Sequence, residues 1–223
     1  MRPIVCGACP TTAPGISKRY TNYKFARDDL ISRIGLYCCY CEMALADAID
    51  VEHKIPKDLD PALSLEWSNF LLSCKTCNSL KGVRPNPPNL DQHIWPDRDN
   101  TFRGFACGKD GIPQIANLGD PALEKLAHDT HALFQLDREK QPDGRSDLRM
   151  KHRLQVHAKA EFCRKTLENS DTPYVRDLIV VTATSAGFFS IWMAIFDDAD
   201  MRLRFGARQG SCRLSHAAFC RVC

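Results

Sequence analysis

The 223-residue sequence lacks a strong charge of either sign, since 30 Lys and Arg against 27 Asp and Glu leave a net charge of +3. Total charge therefore neither requires nor excludes a polyanionic partner, and the placement of the basic residues carries the information instead. The opening stretch MRPIVCGACPTT also lacks the unbroken apolar run of a secretory signal, with proline and two cysteines in its place. No export signal is read there, and a cytoplasmic, reducing compartment is the expectation. No internal repeat occurs at solenoid periods, which excludes a stacked array. Apolar residues are not scarce: at 44% they can fill the core of one sizeable domain, and dominant disorder is excluded.

Cysteine is abundant, at twelve residues. In a reducing compartment such a count is not a disulfide scaffold, and paired C-x-x-C spacings point to metal or redox chemistry.

The pattern predicts an α+β fold. Residues 1–36 form an N-terminal arm and a helix, in which Tyr23, Ala26, Leu30, Ile31 and Ile34 recur at helical spacing before the stop residue Gly35. Residues 37–82 form a compact core, with strands at Ile49–Ile55 and Phe70–Ser73 around the loop PKDLDPALS, then a short helix begun near Cys77. Residues 83–223 form an irregular wrap (83–117) followed by a mostly helical extension packed on the core. Asp120 and Pro121 read as cap and first residue of a helix with Leu123, Leu126, Thr130, Leu133 and Phe134 on one face. His128 and His131 lie off that stripe and read as solvent-facing. A further helix is expected from Asp147 to Glu168 with Ser146 as its cap. Between Arg138 and Lys165 nine Lys or Arg face four acids, which is either a phosphate-facing surface or a solvated helix face.

The stretch LIVVTATSAGFFSIWMAIF (178–196) carries no charge and approaches the length of a membrane span. Its centre, Thr182 to Gly187, reads as a turn joining a β-rich piece (Leu178 to Val181) to an apolar helix (Phe188 to Phe196). Buried core, with no membrane partner, is the expectation.

Cys38 and Cys41 form one C-x-x-C and Cys74 and Cys77 a second, with thirty-two residues between the pairs. Two such turns can complete a closed tetrahedral shell, so the four are assigned to structural Zn2+; a redox dithiol prefers a single C-x-x-C at a helix start. Cys39 competes with Cys38, and the commoner two-residue spacer favours Cys38. Cys6, Cys9, Cys107, Cys163, Cys212, Cys220 and Cys223 have no convincing partner.

IDVEHKIP (49–56) lies inside the loop that this clamp closes. Taken alone, Glu52 beside His53 is an ordinary ion pair, and Asn69 and Asn78 are ordinary turn or capping residues. Held between the cysteine pairs, His53 in DVEHKIP, Asn69 in EWSNFLLSC and Asn78 in CKTCNSLKG together resemble the HNH endonucleases, in their zinc-knuckle, ββα-metal subclass. MRP, YCCYCE, HIWPDRDNTF and GFFSIWMAIFDDAD extend the resemblance to the HNH nuclease subunit of Septu anti-phage systems and their retron-associated relatives. The final stretch, GARQGSCRLSHAAFCRVC, does not share it.

The resemblance implies a metal-dependent endonuclease acting on nucleic acid, DNA before RNA, as a defence effector partnered by an ATPase subunit. It implies His53 as general base, Glu52 and Asn78 as ligands of a catalytic Mg2+ or Mn2+, and Asn69 as the residue that orients His53. In a flat strand Glu52 and His53 point to opposite faces, and Asp50 shares the face of Glu52, so Asp50 is the alternative acid. The competing functions are a stand-alone restriction-type HNH nuclease and a non-catalytic zinc-knuckle module that binds nucleic acid or protein.

Overall fold

An Asx cap starts the ordered path into the core: Asn22 Oδ1 accepts from the Lys24 amide at 3.0 Å, opening a 3-10 turn over Tyr23–Ala26. The computed structural model describes residues 1–45, 49–108 and 111–208. Cys212, Cys220, Cys223 and the rest of the C-terminal stretch beyond Arg208 lie outside the described residues.

The N-terminal arm carries a ribbon, β1 (Thr11–Ala13) with β2 (Ile16–Ser17), before the 3-10 turn and α1 (Arg27–Ile34). The helical spacing from Tyr23 is thus used in two parts, one 3-10 and one α. Gly35 stops α1 at φ 94°, and its amide bonds Ile31 O at 2.8 Å.

The chain then turns through the first cysteine pair into β3 (Ile49–His53), which pairs antiparallel with β4 (Phe70–Cys74); Ile49 lies opposite Cys74 and His53 opposite Phe70. Helix α2 (Lys75–Lys81) follows without a linker, because Cys74 Sγ accepts the Cys77 amide at 3.3 Å and acts as the cap. The helix begins two residues before the expected point, which makes Asn78 its fourth residue. Two strands and this helix form a ββα unit.

The segment expected to be irregular is more ordered than its prolines imply. It holds α3 (Thr101–Gly104) and a hairpin of β5 (Phe105–Cys107) with β6 (Pro113–Ile115). Helix α4 (Pro121–Phe134) is capped by Asp120, whose Oδ1 accepts the Ala122 and Leu123 amides at 3.0 and 3.3 Å. Helix α5 (Leu148–Asn169) starts one residue later than expected, because Asp147, not Ser146, is its cap. Then come α6 (Pro173–Ala186), α7 (Phe189–Ile195) and α8 (Ala199–Arg208).

Helix α6 overturns the β-rich reading of Leu178 to Val181. Ile179, Val180 and Ala183 fall on one helical face and are buried, and Thr182 and Thr184 return their hydroxyls to Leu178 O and Val180 O at 2.8 Å. Packing of that face overrides the weak β-preference of the residues. The turn is Gly187 with Phe188, both at positive φ. No described helix is long and apolar enough to cross a membrane.

Two apolar clusters result. One joins α1, the ββα unit, Trp95 and Phe134; the other joins α5 to α8 around Trp192, Phe196 and Phe205. They meet at Gly187, φ 72°, where an added Cβ would lie 2.6 Å from Ala44 N and 2.8 Å from Glu42 O, and where the Phe188 amide bonds Glu42 O at 2.8 Å.

The basic run over Arg138 to Lys165 does not form a continuous phosphate-facing surface. Arg149 and Arg153 are buried, Arg138 and Arg145 pair with Asp147 and Asp143, and Arg164 pairs with Glu161 and Glu168. Lys140, Lys151, Lys159 and Lys165 remain exposed.

Candidate active site and metal centre

Cys38 and Cys41 sit on a tight turn in which Glu42 N bonds Cys38 O at 2.9 Å, while Cys74 and Cys77 bracket the start of α2. All four Sγ atoms lie within 4.8 Å of one another and are buried. The Cys41 and Cys74 sulfurs are 3.8 Å apart. A tetrahedron with Zn–S bonds of about 2.3 Å has edges of about 3.8 Å, so the donor set and spacing fit zinc. Among the described residues this is the group of Cys, His, Asp and Glu side chains able to hold such an ion. Cys39 is not one of the four sulfurs that gather; its amide bonds Leu72 O at 2.9 Å, and burial pushes its thiol up.

The clamp presses α2 onto β3, and the side chains that meet there are Asp50 and Asn78. Asn78 Nδ2 donates to Asp50 Oδ2 at 3.2 Å, and both residues are half-buried. They line an open cleft of about 630 Å³ with Tyr23, Lys24, Arg27 and Val51. Asn78 and Asp50 bring side-chain oxygens to its lining, and Lys24 and Arg27 bring positive charge. Hard oxygen donors with room for water suit Mg2+ or Mn2+.

Glu52 has other partners. Its carboxylate is 2% exposed, pairs with Lys81 Nζ at 2.6 Å and accepts from the Tyr40 hydroxyl. Burial pushes its carboxyl up, against the lowering effect of Lys81 and Tyr40. Lys81, 1% exposed, also donates to His53 O at 2.7 Å, so it ties the end of β3 to the end of α2. The acid that faces the cleft beside Asn78 is therefore Asp50, and Glu52 is part of the support behind it. Lys81→Met leaves a buried carboxylate uncompensated and is expected to lower unfolding stability by about 3–5 kcal/mol. Urea denaturation measures it, and the double variant Lys81→Met, Glu52→Gln is expected to recover part of the loss.

His53 points away from Glu52, as strand alternation requires. Its ring packs edge-on against Tyr23 (centroids 4.7 Å apart) and Phe70 (5.3 Å), and Nε2 is 2.9 Å from Ser64 O. A carbonyl only accepts, so Nε2 carries the proton and Nδ1 keeps its lone pair. Burial holds the imidazole below its ordinary pKa of 6.5, which keeps the ring neutral at pH 7. Tyr23 links the two: it packs on His53 and lines the cleft of Asp50 and Asn78, which His53 itself does not line.

The side chain of Asn69 bonds backbone groups and not the imidazole. Its Oδ1 accepts the Ile55 amide at 2.8 Å, and Nδ2 donates to Ile55 O and Leu63 O at 2.9 and 3.2 Å. It therefore closes the loop that carries Ser64, whose carbonyl holds His53. Asn69→Ala strands the buried Ile55 amide and carbonyl, and is expected to destabilise the protein by about 1–3 kcal/mol in thermal or urea unfolding.

Sequence reasoning missed Lys81, Tyr40, Tyr23 and the Ser64 carbonyl. The signal for Lys81 was its position three residues after Asn78, on the same face of a helix, opposite a strand with two acids on one side.

A family model described as HNH endonuclease matches residues 38–84, which is the clamp and the ββα unit together. Over 49 residues the chain is 48% identical to the Septu protein PtuB of Bacillus thuringiensis. That match covers 21% of this chain and 19% of PtuB, so the chain spans about a fifth of the length of the curated relative it matches.

Proposed function

We propose that this protein, which carries an HNH endonuclease domain over residues 38–84, is a metal-dependent nuclease that hydrolyses phosphodiester bonds, in DNA before RNA, as the effector of an anti-phage defence system. The observation that carries the reading is the pairing of Asp50 with Asn78 on one open cleft, walled by the tyrosine that packs on a neutral histidine with a free Nδ1.

A phosphodiester resists attack because its own charge repels the nucleophile. Asp50 and Asn78 would hold Mg2+ or Mn2+ through oxygen, and the ion would supply the charge that offsets this repulsion and steadies the leaving oxygen. His53 Nδ1 takes a proton from water, and Ser64 O keeps the ring in the tautomer that makes this possible. Lys24 and Arg27 receive the phosphate backbone at the rim. The similarity to a Septu protein supports the defence role, and the resemblance of the flanking segments to Septu subunits supports an ATPase partner in the cytoplasm.

The test is nicking of supercoiled plasmid with Mn2+, beside single-stranded DNA and RNA, by the protein alone and with a co-expressed ATPase. Asp50→Asn is expected to raise the Mn2+ concentration for half-maximal nicking at least about tenfold, equivalent to losing ~1.4 kcal/mol of ion binding. Glu52→Gln is expected to leave that requirement within about twofold. The reverse ranking assigns the ion to Glu52, with the Lys81 ammonium as its stand-in.

A further inference from the structure

Arg149, on the first turn of α5, is 1% exposed, and each of its five N–H groups has an acceptor. Nε donates to Asp147 Oδ1 at 3.0 Å. Nη2 donates to Asp147 Oδ2 at 2.8 Å and to Gln135 O at 2.9 Å. Nη1 donates to Phe134 O at 2.7 Å and to Cys77 Sγ at 3.5 Å.

Two of these bonds form a helix cap, and two pair with the Asp147 carboxylate. Phe134 and Gln135 end α4, and their carbonyls have no partner further along the helix, so a guanidinium satisfies them well. The fifth bond is of another kind, because it reaches a sulfur of the metal-binding tetrad.

Four thiolates around one divalent cation leave a buried charge of −2, which an apolar surrounding does not tolerate without compensation. Helix α5 supplies it. Arg149 touches the sulfur, and Arg153, one turn further along, is also buried, with its guanidinium 5.7 Å from the Phe188 ring and Nη1 bonded to Leu136 O.

We infer that Arg149 is a positioning residue of the zinc centre, whose N–H···S bond to Cys77 makes metal retention depend on the α4–α5 extension, outside the segment matched by the HNH family. Cys77 directly precedes Asn78, so the same bond steadies the helix start that presents the cleft's amide. The inference rests on the reading of the four cysteines as a zinc site.

The test uses the full chain. Zinc content is measured by mass spectrometry, zinc release to excess chelator is timed, and the Co2+-substituted protein is examined by absorption. Arg149→Met is expected to release zinc about 10–100-fold faster. Loss of the hydrogen bond raises the energy of the sulfur lone pair, so the sulfur-to-cobalt charge-transfer bands move to lower energy. Arg149→Lys keeps the charge without the fork and is expected to restore part of the release rate. Arg138→Met, which disturbs Asp147 but touches no sulfur, is expected to leave the bands unmoved.

Wild-type release rates and bands in both Arg149 variants, or equal shifts in Arg138→Met, overturn the inference and leave Arg149 a helix cap. If Arg149→Met does not fold, the bands of Arg149→Lys decide: a shift supports the inference and coincidence with wild type overturns it. A wild-type protein that binds neither Zn2+ nor Co2+ overturns the zinc reading and this inference with it. A zinc-loaded wild type with unresponsive variants overturns the inference alone.

Discussion

His53→Ala is expected to slow plasmid nicking by about 10²- to 10⁴-fold, the contribution of a positioned general base. Zinc content and the folded spectrum are expected to match wild type. The separation of activity from folding follows from the contacts of the ring. Nε2 makes one hydrogen bond, to Ser64 O, and the ring packs edge-on against Tyr23 and Phe70, so alanine removes one bond and a modest apolar contact. The structural load at this strand end is borne by the backbone: His53 O accepts from Lys81, and the Lys54 amide bonds Asn69 O at 2.9 Å. Equal nicking by wild type and variant would remove His53 as the base and count against catalysis at this site.

Cys74→Ser is expected to abolish cooperative folding of the ββα unit, not merely to weaken it. Structural zinc contributes about 10–16 kcal/mol in small zinc domains, as much as the whole stability of a typical domain. Cys74 also does three things at once. It ends β4 opposite Ile49, it caps α2 through the Cys77 amide, and it contributes a sulfur to the tetrad. Loss of zinc, of near-ultraviolet circular dichroism and of a sharp melting transition would appear together. Retention of a wild-type transition in a zinc-free Cys74→Ser protein would remove the clamp from the account.

The clamp was legible in the sequence because C-x-x-C is a local pattern: two sulfurs separated by one turn declare their geometry without knowledge of the fold. Spacing favours Cys38 over Cys39, and it is the Cys38 sulfur that gathers with those of Cys41, Cys74 and Cys77.

The acid of the cleft was legible only in part. Strand alternation puts Asp50 and Glu52 on one face, but which of them is free depends on Lys81 and Tyr40, which lie on either side of β3 in the chain and reach Glu52 only after folding. The apolar stretch before Gly187 misled for a similar reason. Its β-branched residues prefer strands in isolation, and a burial pattern at helical period, visible once α5, α7 and α8 surround it, decides the matter. The basic run over residues 138–165 is broken as a surface because Arg149 and Arg153 are buried and Arg138, Arg145 and Arg164 are tied to nearby acids, which leaves four exposed lysines.

Anomalous diffraction from crystals soaked in MnCl2 tests the central claim most directly. Two metal peaks are predicted, zinc within the four sulfurs of Cys38, Cys41, Cys74 and Cys77, and manganese between the Asp50 carboxylate and Asn78 Oδ1. A cleft without manganese, or manganese seated beyond the reach of both side chains, would contradict the account.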